Sequence, residues 1–189
     1  NVAITPSGQY ALVANFNDDT ISQLIISRNG TVSNSGLLLP SGNAPLGIAI
    51  SPDGRLAFVT SSELTTNTID IYHLDGATVE DRGESVAVGD LPISVAFTPD
   101  GQYALVANSE DDSISLLAIA EDQRVELVQT LPVGNTPVEV AISPDGKFAL
   151  VANSMANNVE SIRIGAGKLE RTGSTFVTGS IPAGLTFMP

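Results

Sequence analysis

The chain has no cysteine in 189 residues, so disulfides, thiolate zinc sites and cysteine nucleophiles are excluded, while the redox compartment stays open. It has one histidine, too few for a His-rich metal site. Basic residues are scarce: 8 Lys plus Arg stand against 21 Asp plus Glu, a formal charge of −13. That balance argues against a nucleic-acid partner, because phosphate binding runs on clustered Lys and Arg. No uncharged stretch reads as a membrane span; the longest, Asn29 to Pro52, is broken by Gly, Pro, Ser and Asn. Apolar residues, by contrast, make up 42% of the chain, enough for a packed core and against disorder.

Those apolar residues recur. Val2-Ala-Ile-Thr-Pro-Ser-Gly8, Ile48-Ala-Ile-Ser-Pro-Asp-Gly54, Val95-Ala-Phe-Thr-Pro-Asp-Gly101 and Val140-Ala-Ile-Ser-Pro-Asp-Gly146 are one motif written four times, and a fifth starts at Leu185. The spacings of 46, 47, 45 and 45 residues match the period of a four-stranded propeller blade. Each repeat resolves into four strands. A short apolar strand such as Gly47 to Ser51 is followed by a Pro-Asp-Gly turn, where Pro presets one turn position and Gly takes a positive φ. A second apolar run follows, such as Tyr103 to Ala107, and neither alternates, so both faces require burial. The third strands are mixed (Thr20 to Ser27, Thr68 to Leu74, Ser113 to Ala120, Asn158 to Ile164), and the fourth, for example Ala77 to Val88, is charged like an outer edge. No segment has a helical period. The predicted fold is all-β: a propeller segment with blades over 1–46, 47–93, 94–138 and 139–183, and 184–189 as a fifth inner strand.

Leu12-Val-Ala-Asn15, Phe58-Val-Thr-Ser61, Leu105-Val-Ala-Asn108 and Leu150-Val-Ala-Asn153 resemble YVTN-type propeller repeats across the whole chain. They are equally similar to the lactonase-type propellers, such as 6-phosphogluconolactonase. The first resemblance implies a prokaryotic surface or secreted protein, located at the cell surface, in the periplasm or outside the cell. The second implies a hydrolase. Both imply a ring of about seven blades, of which the chain supplies four. Its opening at Asn1 inside an inner strand points to a fragment or processed piece. An incomplete ring leaves two blade faces open, each forfeiting on the order of 10 kcal/mol of apolar burial. Further blades, a second copy completing an eight-bladed ring, or a strained four-bladed closure would cover them.

Strand direction assigns the loops to two faces. The face opposite the Pro-Asp-Gly turns, termed the top, holds Asp18, Asp19, Glu63, Asp90, Glu110, Asp111, Asp112 and Glu139, with no Lys or Arg. The bottom carries six acids with Arg28, Arg55, Arg124, Lys147 and Lys168. The top face should attract a basic protein or a small cation. The same residues are also ordinary tight-loop formers, and no Asp-x-Asp-x-Asp-Gly calcium loop is present. No cofactor or metal is expected.

Chemistry should lie where a repeat breaks its own pattern. His73 shares its column with Ile25, Ala118 and Arg163, a tolerance that predicts a partly exposed outer position. The blade starts carry Gly47, Ser94, Glu139 and Gly184 at the throat of the top face. The lactonase resemblance implies His, Arg or Glu there, and only Glu139 is ionisable, a candidate general base. The loop Ser62 to Asn67 is two residues longer than its counterparts, with Leu64, Thr65 and Thr66 at the tip as candidate binding residues. Arg163 reads as a snorkelling outer residue or as half of an ion pair with Glu160 or Glu170. Two functions follow. With one His and no throat Arg, a non-enzymatic binding propeller using the acidic face is favoured; the alternative is part of a lactonase-like hydrolase completed by further blades.

Overall fold

The computed structural model describes residues 1–62 and 67–187. Sixteen strands form four antiparallel four-stranded meanders, with no helix among the described residues. Blade 1 is β1 (Val2–Ile4), β2 (Tyr10–Asn15), β3 (Thr20–Ile26) and β4 (Val32–Pro40). Blade 2 is β5 (Pro45–Ile50), β6 (Leu56–Ser61), β7 (Thr68–Asp75) and β8 (Thr78–Ala87). Blade 3 is β9 (Pro92–Phe97), β10 (Tyr103–Asn108), β11 (Ser113–Ile119) and β12 (Val125–Pro132). Blade 4 is β13 (Pro137–Ile142), β14 (Phe148–Asn153), β15 (Asn158–Gly165) and β16 (Lys168–Val177).

The Pro-Asp-Gly turns close as their residues dictate. Gly54 takes φ +72°, and its N–H donates to the Ser51 carbonyl at 2.8 Å. The Ser51 hydroxyl donates to Asp53 at 2.6 Å and accepts from the Leu56 N–H at 2.9 Å. The Thr98 and Ser143 turns repeat this hydroxyl-to-carboxylate bond.

The unbroken apolar runs have neighbours on both sides. Leu56 and Phe58 of β6 enter the core with Val95, Ala104, Val106 and Leu117 of blade 3. The intervening Ala57 and Val59 pack against Leu12, Ala14 and Ile21 of blade 1. Leu105, Ile114 and Leu116 of blade 3 then join Val140, Val151 and Ile162 of blade 4. Alternation along each strand therefore distributes side chains between two interblade cores.

At the top end of each blade a polar pair replaces this core. Asn15, Asn108 and Asn153 donate to third-strand partners: Ser22 at 2.8 Å, Ser115 at 2.9 Å and Glu160 at 3.1 Å. Blade 2 exchanges both members: Ser61 donates to Asp70, which also accepts the Gly42 N–H at 2.8 Å. Donor and acceptor change together, so the buried bond persists.

Of the three ways of covering the open blade faces, one is set aside. The four blades do not close into a strained ring: β1 packs on β5, β5 on β9 and β9 on β13, and blade 4 has no comparable contact with blade 1 among the described residues. Val2 is 59% exposed, whereas Val95 at the same place in blade 3 is 8% exposed.

Candidate functional site: the propeller throat

The blade-start column lies on the inner strands, where each register slips before regular pairing begins. The irregularity falls between Pro45 and Ile48 in blade 2, opposite Ala107 and Asn108 in blade 3, and between Pro137 and Glu139 in blade 4. Such bulges re-aim a side chain. Two neighbours of the column meet here: the buried Ser94 hydroxyl donates to Glu139 Oε1 at 2.8 Å across the blade 3–blade 4 boundary.

Burial pushes the Glu139 carboxyl above its ordinary range, and the Ser94 hydroxyl and Val140 N–H partly offset this. None of the ion pairs among the described residues includes Glu139. Its charge is thus stabilised by neutral dipoles alone, which suits a base that must also release a proton. In the preceding column position, Gly47 leaves no room for a side chain. A Cβ there would lie 2.8 Å from the Ile93 carbonyl oxygen, and the Gly47 N–H donates to Thr60 Oγ1 at 2.7 Å.

The other top-face acids are spread along loops. Asp18, Asp90, Glu110 and Asp111 are exposed. Asp19 and Asp112 each fasten their blade to the next linker, accepting the N–H of Ala44 at 2.8 Å and of Thr136 at 2.7 Å. Asn67 and Asn157 make the same bond to Leu91 and Ile181. All four linker residues have a positive φ, and none is Gly, so composition alone does not signal the motif. Asp90 accepts from Asn67 at 2.7 Å and Asp111 from the Ser113 hydroxyl at 3.2 Å. No group of three or more acidic or histidine side chains is placed to hold a metal ion among the described residues. Glu63, Leu64, Thr65 and Thr66 lie outside the described residues.

His73 is not an outer exposed residue: it is 7% exposed, whereas Ile25 and Arg163 in its column are exposed. Its ring is hydrogen-bonded on both sides, by Gln123 of blade 3 at Nδ1 and by Glu84 at Nε2. Arg163 lies over the Phe148 ring, 5.9 Å from its centroid, and opposite Glu170 in the β15–β16 ladder. Lys168 chiefly, with Arg163 a smaller contributor, holds the Glu170 carboxyl below its ordinary range. Glu160 faces Arg171 at 3.8 Å instead.

Residues 83–183 match the family described as lactonase, seven-bladed beta-propeller, over more than half of the chain. The chain belongs to this lactonase propeller family. No curated protein sequence matches it. Among solved structures, a candidate 6-phosphogluconolactonase of Bacteroides uniformis superposes with a TM-score of 0.86 at 22% identity, covering 96% of this chain and 55% of that one. The periplasmic gluconolactonase of Pseudomonas aeruginosa gives 0.80 at 22%, covering 95% and 54%. Hydrazine synthase of Kuenenia stuttgartiensis gives 0.74 at 21%, covering 93% and 48%. At these identities the likeness is one of fold, and proteins of unlike chemistry share it. The lactonase-family chain spans about half the length of these structures.

Proposed function

We propose that this chain forms four blades of a lactone-hydrolysing propeller and supplies Glu139 as the throat carboxylate that activates water. The observation that carries this is a half-buried carboxylate, raised by burial and oriented by a neutral hydroxyl, at the throat of a lactonase-family propeller. Family membership favours hydrolysis over the non-enzymatic scaffold that the scarcity of His and Arg suggested. The use of Asp19 and Asp112 as interloop fasteners likewise makes the acidic face less available to a partner.

In the proposed reaction Glu139 takes one proton from water as its oxygen attacks the lactone carbonyl carbon. The carbonyl π electrons move to oxygen. Their return breaks the ring C–O bond, and the proton passes from Glu139 to the leaving ring oxygen, yielding the open hydroxy acid and the starting carboxylate. Gly47 and Ser94 supply no cation beside it, so groups beyond these four blades would stabilise the oxyanion. The Ser94 hydroxyl is committed to orienting Glu139.

The test is ring opening of aldonolactones by the full-length protein, followed as acid release. Hydrolysis well above the uncatalysed rate is expected, with an acid limb above the ordinary glutamate range. Hydrolysis no faster than buffer for phosphorylated and unphosphorylated lactones alike would overturn the proposal.

A further inference from the structure

The turn between third and fourth strands needs a left-handed residue, and blades 1, 2 and 4 place Gly30, Gly76 and Gly167 there. Blade 3 places Gln123, at φ +69°. The blade 1 and blade 3 turns are otherwise alike: the Gly30 N–H donates to Ser27 and the Gln123 N–H to Ala120, at 2.9 and 2.8 Å. A side chain held where glycine is favoured points to a use for that side chain.

Its use is visible across the interblade boundary. One orientation of the Gln123 amide satisfies both of its neighbours. Its nitrogen then donates to His73 Nδ1 at 2.8 Å, and its oxygen accepts from Arg55 at 2.8 and 3.2 Å. His73 Nε2 lies 3.1 Å from Glu84 Oε2. With Nδ1 accepting, Nε2 must carry the proton and donate to that carboxylate. Four side chains thus form a one-directional donor chain from guanidinium to carboxylate: Arg55 to Gln123 to His73 to Glu84. It joins the bottom of blade 2 to blade 3 beside a cavity of about 470 Å³ lined by Arg55, His73 and Gln123.

A donor chain of this kind has one orientation while the imidazole is neutral. We propose that it is a proton-operated switch that releases Arg55 when His73 is protonated. A protonated imidazole has two N–H donors. The bond to Glu84 survives as an ion pair, but Nδ1–H can bond Gln123 only if the amide reverses. Reversal turns the amide N–H groups toward the guanidinium, donor against donor, and Arg55 leaves for the cavity. The charged groups lining the cavities at this junction are Asp53, Asp75, Glu80, Arg82, Asp100 and Glu121, and none of the ion pairs among the described residues includes Arg55. On β8, opposite His73, Glu80 is already bound by Arg82 at 2.8 Å. Asp75 lies at the end of β7, and Glu121 precedes Gln123 in its turn.

In the ¹⁵N-labelled full-length protein, the His73 ring nitrogens, assigned by their loss in His73→Gln, and the Arg55 Nε–H are followed by NMR from about pH 8 down to about pH 5. The expected result is the Nε2–H tautomer at high pH. Hydrogen exchange at Arg55 Nε–H should then become at least about tenfold faster, with the same midpoint as His73 protonation. Gln123→Gly restores the residue found in the other three turns, so folding is preserved. In that variant Arg55 should exchange rapidly at every pH and no longer follow His73. An Nδ1–H tautomer, an Arg55 signal unmoved through the His73 midpoint, or identical coupling in Gln123→Gly would each overturn the proposal.

Discussion

Glu139→Gln in the full-length protein is expected to lower kcat for lactone hydrolysis by about 10²–10⁴-fold, the usual cost of losing a general base. Stability should not fall with it. Burial raises the folded-state value of this carboxyl above the ordinary 4.5. A carboxyl raised on folding binds its proton more tightly in the native state, so its ionisation opposes folding. The penalty is absent below the unfolded value and complete once pH exceeds the raised folded one. At neutral pH the amide removes that penalty and still offers an oxygen to Ser94. Tm should therefore be equal or higher while turnover collapses, and KM should change little because the base contributes little to ground-state binding. A loss of Tm matching the loss of activity would show a structural role instead.

Phe58→Ala should be the most destabilising single truncation, at about 3–5 kcal/mol. Phe58 is 0% exposed, and its ring centroid lies 4.5 Å from that of Phe97 in the core between blades 2 and 3. Removing it leaves a cavity bounded by two sheets, neither free to collapse on the other without moving its own hydrogen-bonded ladder. Phe148 is the internal control: an aromatic on blade 4 that is 37% exposed, with the Arg163 guanidinium 5.9 Å from its ring centroid. Phe148→Ala should cost about 1 kcal/mol. Urea unfolding of the two variants checks this, and equal costs would contradict the interblade packing described above.

The fold was legible because each blade repeats its own instructions. Pro-Asp-Gly fixes a turn, the runs around Ala57 and Ala104 demand burial on both faces, and charge at Glu80 to Glu84 marks an outer edge. Glu139 stood out for a related reason, as the ionisable member of an otherwise small-residue column. Its contact with Ser94 was not legible, since it depends on bulges in two inner strands. His73 was misplaced because its column does not reveal the contact it makes with Gln123, 50 residues later in the chain. Only noticing that Gln123 occupies a glycine turn would have exposed the pair. The acidic loops were read as charge, whereas half of the interloop fasteners use Asn67 and Asn157. The feature those fasteners share is an amide or carboxylate oxygen, and net charge does not report it.

The most direct measurement is the pH dependence of lactone hydrolysis in the full-length protein with and without the Ser94 hydroxyl. The Ser94 bond lowers the Glu139 carboxyl, partly offsetting burial. If Glu139 is the base, Ser94→Ala should move the acid limb of kcat to higher pH while activity at the plateau is largely kept. An acid limb at the same pH in both proteins would mean that another group takes the proton, and would contradict the assignment of Glu139.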